Sequence, residues 1–574
     1  MVRRRNRPEA THPPIISLPS DVKKQPDPVI VYSPSFLAAV RACMTARLCS
    51  ALMSHITDCD ETYNYLEPAH RLVYGRGLQT WEYDPKYALR SYAFLWIYAM
   101  PVWAHFYFFN ASSILSFYFL RCFLGLISSI TEAVFYRVIV QHFGCHIGRL
   151  TLLFLILSPG MFHASVAFLP SSFCLYMAMI SYSCLYTGYT FAAVLSVATS
   201  TLLGWPFSCV LGIPIALDVV FVQRKFLIFL MYVVLSFFIV ATPIFFIDTY
   251  YYGQPVFTPL HLVWYNVFTS HGPNLYGAEP WYFYFFNGIL NFNIAFVAVF
   301  FSLPIFFLVY YLKPNAISIR SYWQPVLALF SWFIIFFLQS HKEERFLFPV
   351  YPLIAFVGAA VISNAQLLIH ILFTHQFGNH FLTTTKWLTR IIITCFMVIS
   401  LMRITALFKA YRAPLDVFTD FDQSVTKEKL EPGLFCIGRE WHRFPSQFFF
   451  HDEKFVVGFL KSGYKGQLPQ PFVTGDLGTM VSRDNFNDLN QEEIDRYVSE
   501  DKCKYLVDLK IASTDVLEPN YAVDSVNWTV LSSRPFLISE KSHSVFRAFY
   551  IPFLSDINTV YTDYVILKKK NKSL

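Results

Sequence analysis

Apolar residues fall along most of this chain in runs of about 20, the length that crosses a bilayer's hydrocarbon core as a helix. Runs near 35–57, 91–109, 113–140, 150–168, 226–247, 288–311, 322–339, 346–372 and 388–411 predict spans. The stretch 171–222 is long enough for two more, broken near Gly204-Trp205-Pro206. Together they predict a polytopic α-helical membrane protein with about eleven crossings. Arg41 and Arg47 interrupt the first run, which reads as a crossing or as a partly buried helix packed on the bundle. Within 113–140, Arg121 and Glu132 lie about three helical turns apart and share one face, and we read them as structural inter-helix partners.

The pattern changes after Tyr411. Short β-like runs at Leu434–Ile437, Phe455–Phe459, Tyr505–Val507, Trp528–Leu531 and Tyr564–Leu567 predict a soluble mixed α/β domain over 412–574. At the other end, 1–33 is a basic, disordered tail with Arg3, Arg4, Arg5 and Arg7, lacking the apolar core and cleavage site of a signal peptide. The membrane part is then 34–411. The positive-inside rule keeps the tail in the cytosol with the basic loops at 223–225 and 313–320. Counting crossings puts the loop after Asp58, the 248–287 loop, the 340–345 loop and the C-terminal domain on the opposite side.

Composition narrows the class further. The chain is 55% hydrophobic and 14% charged, whereas soluble domains are about a quarter charged. The net charge of +7 comes from cations at the termini and in short loops, which sets orientation and does not suggest nucleic-acid binding. Most of the eleven cysteines lie in or beside apolar segments. His142, Cys145 and His146 lack a fourth zinc ligand. Cys436 and Cys503 could pair if the C-terminal domain is lumenal.

Candidate chemistry gathers in three polar islands predicted to share one face. The first, 58–90, holds Asp58, Asp60, Glu61, Glu67, Glu82 and Asp84 among Trp81 and five tyrosines. Carboxylates to accept hydroxyl protons and flat aromatic faces for pyranose rings make this the composition of a sugar site. The second island, 248–287, carries Trp264, Tyr265, His271, Asn274, Tyr276, Glu279 and Trp281. The third, His341-Lys342-Glu343-Glu344-Arg345, stands at the mouth of a span and suits an interfacial phosphate clamp. Arg345 supplies a planar fork, His341 and Lys342 add positive charge, and Glu343 and Glu344 orient the cluster. Among Asp58, Asp60 and Glu61, spacing alone does not single out a general base. His70, Trp81 and Arg90 are candidates for holding the first loop, and Trp281 for an interfacial anchor.

HKEERFLFPVYP at 341–352, DCDETYNYLEPAHRLVYGRGLQTWEYDPKYALRSYAF at 58–94, YGAEPWYFYFFNGILNFN at 276–293 and KSHSVFRAFYIPFLS at 541–555 resemble glycosyltransferase family 22. The likeness spans nearly everything after residue 34, with Ala278 replacing an expected Thr. It implies a GT-C fold whose first lumenal loop bears the catalytic acid, in the endoplasmic-reticulum membrane, with no cofactor and no obligatory metal. It also implies inverting α-1,2-mannosyl transfer from dolichyl-phosphate mannose to a dolichyl-pyrophosphate-linked oligosaccharide, for protein N-glycosylation. The family's acidic pair falls on Asp60–Glu61, which favours Asp60 as base with Asp58 and Glu61 behind it. The alternatives are a GPI-anchor mannosyltransferase of the same family, and a lipid transporter or scramblase. The first loop argues against the former, and the lack of visible pseudo-repeats against the latter.

Overall fold

The computed structural model describes residues 32–268, 277–314, 319–373, 380–450, 454–512 and 517–570. His271, Asn274 and Tyr276 of the second island, and most of the basic tail, lie outside them. Helix α1 (Phe36–Met53) is capped by Ser35, whose side chain accepts from the Ala38 amide. The chain then turns at Asp58, winds through the π-turn Glu61–Leu66, and continues as α2 (Glu67–Tyr74), which ends at Gly75 in the left-handed region. Strand β1 (Leu78–Gln79) precedes α3 (Tyr92–Phe109) and α4 (Ser113–Phe143), which are capped by Ser91 and Ser112.

The expected 150–168 span is cut at Ser158-Pro159. Ser158 caps a new turn and Pro159 cannot continue the old one, so the segment divides into α5 (Cys145–Leu157) and α6 (Pro159–Ala164). Helices α7 (Pro170–Tyr186), α8 (Thr190–Thr199) and α9 (Ile213–Leu217) follow, with the chain breaking at Trp205-Pro206. Next come α10 (Phe226–Tyr252), α11 (Thr258–Phe268), α12 (Phe283–Val299), α13 (Ser302–Leu312) and α14 (Ile319–Leu338). The membrane part closes with α15 (Tyr351–Phe373), α16 (Phe381–Thr384) and α17 (Lys386–Tyr411). Among the described residues, six helical stretches are long and apolar enough to cross a membrane, and four shorter apolar helices pack between them.

The arginine that interrupts the first run is neutralised inside the bundle. Arg47 is fully buried and its Nε lies 2.8 Å from Glu132 Oε1 on α4, while its remaining donors reach the Met161 and Leu155 carbonyls. Arg121 instead donates to Ser54. Arg121 and Glu132 of α4 therefore serve different partners, both on or next to α1, and fasten that helix to the bundle.

Helix α18 (Ala413–Glu428) leads into the C-terminal part, where β2 (Leu434–Ile437), β3 (Val456–Phe459), β5 (Tyr505–Leu509), β6 (Trp528–Leu537) and β7 (Tyr561–Lys569) form one sheet in the order β3-β2-β5-β7-β6. Strands β3, β2 and β5 run parallel, and β7 and β6 complete the sheet antiparallel. Cys436 on β2 and Cys503 just before β5 form a disulfide. The short β4 (Gln470–Pro471) leaves this sheet to pair with β1, so the first loop and the C-terminal part share hydrogen bonds.

Candidate active site

The six carboxylates of the first loop separate by partner. Glu67 accepts from the Leu78 amide, Ser446 Oγ and the Gln447 amide at 2.9, 2.8 and 2.7 Å. Asp84 accepts from Ser482 Oγ and the Arg483 amide at 2.6 and 2.9 Å. Both are buried staples between the loop and the C-terminal part. Glu61 turns inward to accept from the Phe168 amide at 3.0 Å, which takes this base candidate away from open space. Glu82 holds Arg90 by two bonds of 3.0 and 2.8 Å, and Arg90 also donates to Tyr65.

Asp58 and Asp60 remain. Both face Arg345: its Nε lies 3.2 Å from Asp58 Oδ2 and its Nη2 lies 2.6 Å from Asp60 Oδ2. Glu343 completes the set as a third carboxylate on the same guanidinium. Asp58 also accepts from the Asp60 amide at 2.9 Å, which sets the turn entering the π-segment. Burial pushes the Asp58 carboxyl up to about 7, with Asp60 and Glu343 adding to the rise and Arg345 opposing it. Burial acts against ionised Glu343 as well, but Arg345 and His341 outweigh it and hold that carboxyl at about 2. His341 lies 3.0 Å from Glu343 and 2.9 Å from the Gly277 carbonyl, one acceptor at each ring nitrogen. An imidazolium satisfies both, and the bond to Glu343 is the main reason its pKa rises.

This cluster opens on a cavity of about 740 Å³ lined by Asp58, Asp60, His341, Glu343 and Arg345. Its volume is that of a small-molecule site. Trp81, Glu82 and Arg90 line it from the first loop and Tyr265 from α11. Part of the wall was not visible in the sequence: Trp441, Tyr464, Gln467 and Asn490 come from the C-terminal part. The Trp441 and Tyr464 rings lie 4.4 Å apart, and Tyr464 reaches Asn490 at 3.3 Å. No local motif marks these four. They reach the cavity because Tyr63 bonds the Trp441 carbonyl at 2.7 Å and β4 pairs with β1.

Several candidates lie elsewhere. Lys342 is buried and caps the carbonyls of Gln339 and Glu279, so it does not face the cavity as a phosphate ligand. Glu344 turns away to His163 at 2.8 Å and Asn291 at 2.7 Å. His70 is buried between Tyr74 and Phe448 with Nδ1 on the Arg76 carbonyl, a packing role. Trp281 is exposed and away from the cavity. The oxygen and sulfur donors of Asp58, Cys59 and Asp60 lie within 4.8 Å of one another. Arg345 already supplies the cation that these carboxylates bind.

The helical membrane bundle has the GT-C fold of membrane glycosyltransferases. The crystal structure of ArnT from Cupriavidus metallidurans bound to undecaprenyl phosphate shares the fold at a TM-score of 0.50, with 12% identity, covering 74% of this chain and 86% of that one. The sequence profile of the Alg9-like mannosyltransferase family matches residues 38–451. Alpha-1,2-mannosyltransferase ALG9 of Mus musculus is 45% identical over 550 residues, 94% of this chain and 90% of that protein. The Drosophila melanogaster Alg9 is 42% identical over 562 residues, 96% and 89% of the two chains. The chain belongs to the Alg9-like mannosyltransferase family, and its activity is α-1,2-mannosyl transfer.

Proposed function

We propose that the enzyme takes mannose from dolichyl-phosphate mannose and adds it to a dolichyl-pyrophosphate-linked oligosaccharide at the lumenal face of the endoplasmic reticulum. The observation that carries this reading is the convergence of Asp58, Asp60 and Glu343 on Arg345 at the cavity. A displacement that inverts a β-linked donor needs one carboxylate for the acceptor hydroxyl and one cation for the departing phosphate. Asp60 takes the proton of the acceptor 2-hydroxyl. That oxygen attacks the anomeric carbon, the bond from carbon to phosphate oxygen breaks, and dolichyl phosphate leaves with the electron pair. Arg345 and His341 offset the charge that gathers on it. Asp58, bonded both to Arg345 and to the Asp60 amide, positions the pair.

The wall made by Trp441, Tyr464, Gln467 and Asn490 suits the acceptor sugar, offering ring faces and amide groups. The loops bearing the cluster and the C-terminal sheet then share the lumenal side, a reading the Cys436–Cys503 disulfide supports because such bonds persist in oxidising compartments. We keep about eleven crossings: the six long apolar helices and the four shorter ones account for ten, and α3 supplies another. The test is purified enzyme with dolichyl-phosphate mannose and a synthetic lipid-linked acceptor. Mass spectrometry should show one added hexose and linkage analysis an α-1,2 bond. Transfer from a water-soluble nucleotide sugar, with none from the lipid donor, would refute the donor assignment.

A further inference from the structure

At the end of the bundle opposite Asp58 lies a second cavity, about 600 Å³, between α5 and the start of α17. Helices α1 and α17 both run from this end towards the catalytic end, where the rings of His55 and Tyr411 lie 5.6 Å apart. Its walls are aliphatic, including Leu153, Leu157 and Ile393. Among the described residues, three cations, Arg149, Lys386 and Arg390, line it, and no carboxylate does. The polar groups of its inner wall are already matched: His146 Nε2 lies 2.7 Å from Gln366 Oε1, and Gln366 also bonds Thr389 and the Thr385 carbonyl. That bridge accounts for His146, which the sequence placed near a cysteine without completing a zinc site.

We propose that this groove binds an anionic glycerophospholipid of the membrane face opposite the active site. An acyl chain lies along the α5–α17 wall, and the headgroup is held by Arg149, Lys386 and Arg390. A groove that is apolar along its length and cationic without compensating acid matches such a lipid at both ends. Anionic lipids concentrate in the cytosolic leaflet, and basic groups facing them gain most from that field. The rival occupant is residues 1–31, since Pro34 also lines the groove. That segment carries Arg3, Arg4, Arg5 and Arg7, which the three cations would repel.

Native mass spectrometry of the full-length enzyme with phosphatidylserine or phosphatidylcholine tests this. Phosphatidylserine should be retained in preference, and each of Arg149→Gln, Lys386→Gln and Arg390→Gln should weaken retention about fivefold. Arg149→Lys should keep most of it, which separates lost charge from lost folding. Mannosyl transfer by Arg390→Gln in phosphatidylcholine should stay at the wild-type rate, showing the bundle intact. Equal retention of the two lipids, or unchanged phosphatidylserine binding in the triple Gln variant, would overturn the proposal. So would phosphatidylserine binding that appears only after residues 1–31 are deleted.

Discussion

Arg345 Nη2 lies 2.6 Å from Asp60 Oδ2, so the residue proposed to bind the donor's phosphate also holds the residue proposed to take the acceptor's proton. With Asp58 and Glu343 on the same guanidinium, three carboxylates compete with a phosphate for one cation. We expect an arriving phosphate to displace part of this cluster from Nε and Nη2. That displacement would free Asp60 for the acceptor as the phosphate arrives, coupling the two substrates through one side chain.

The competition is pH-dependent, and its sign follows from Asp58. Its carboxyl, raised to about 7, is neutral below that pH and charged above it. Protonation removes one rival for Arg345, so donor affinity should strengthen as pH falls through about 7 and weaken as it rises. Donor KM measured from pH 6 to 8 checks this, and Asp58→Asn should flatten the profile. A profile that keeps its slope in Asp58→Asn would assign the titration to another group.

Arg345→Lys keeps the charge but loses the planar fork, and an ammonium cannot serve Asp58, Asp60 and a phosphate in the same geometry. Donor KM should rise about tenfold or more, a loss of one charge-assisted bond. An unchanged KM would remove Arg345 from the phosphate site.

In the bundle, Glu132→Gln should leave Arg47 without its counter-charge and cost about 3–5 kcal/mol. Replacing both Arg47 and Glu132 by Leu should cost less than that single change. Thermal unfolding of the two variants in detergent gives the comparison. Equal losses would mean that the Arg47 bonds to the Met161 and Leu155 carbonyls carry the fastening.

The hydrophobic pattern made most of the helices legible, because a bilayer imposes a length that the runs reveal directly. It did not show where Ser158-Pro159 divides a run, since the apolar stretch Leu152–Leu157 before it and Met161-Phe162 after it hide one cap. The site was legible as far as residue types converge in short stretches: Asp58, Asp60, His341, Glu343 and Arg345 do meet. Lys342 and Glu61 share those stretches but point elsewhere, because adjacent residues on a turn face different sides. Trp441 and Tyr464 were illegible because they reach the cavity only through pairing across nearly 400 positions, as in β1 with β4.

Topology follows from the same pairing. The chain carries a glycosylation sequon at Asn527-Trp528-Thr529, and Asn527 is exposed. A sheet bonded to the catalytic loop must share its compartment. A C-terminal tag in sealed microsomes should resist protease until detergent is added, and Asn527→Gln should abolish any glycosidase-sensitive mass shift. Digestion of the tag in intact microsomes would put the sheet, and with it the first loop, in the cytosol.

The most direct measurement is turnover and donor binding of Asp60→Asn in the purified enzyme, with lipid-linked acceptor supplied. Loss of a general base should lower kcat by roughly 10²–10⁴-fold. Donor affinity should hold or strengthen, because one carboxylate fewer faces Arg345. Near-wild-type kcat would contradict Asp60 as the base. A collapse of donor binding in step with kcat would contradict the division of labour between Asp60 and Arg345.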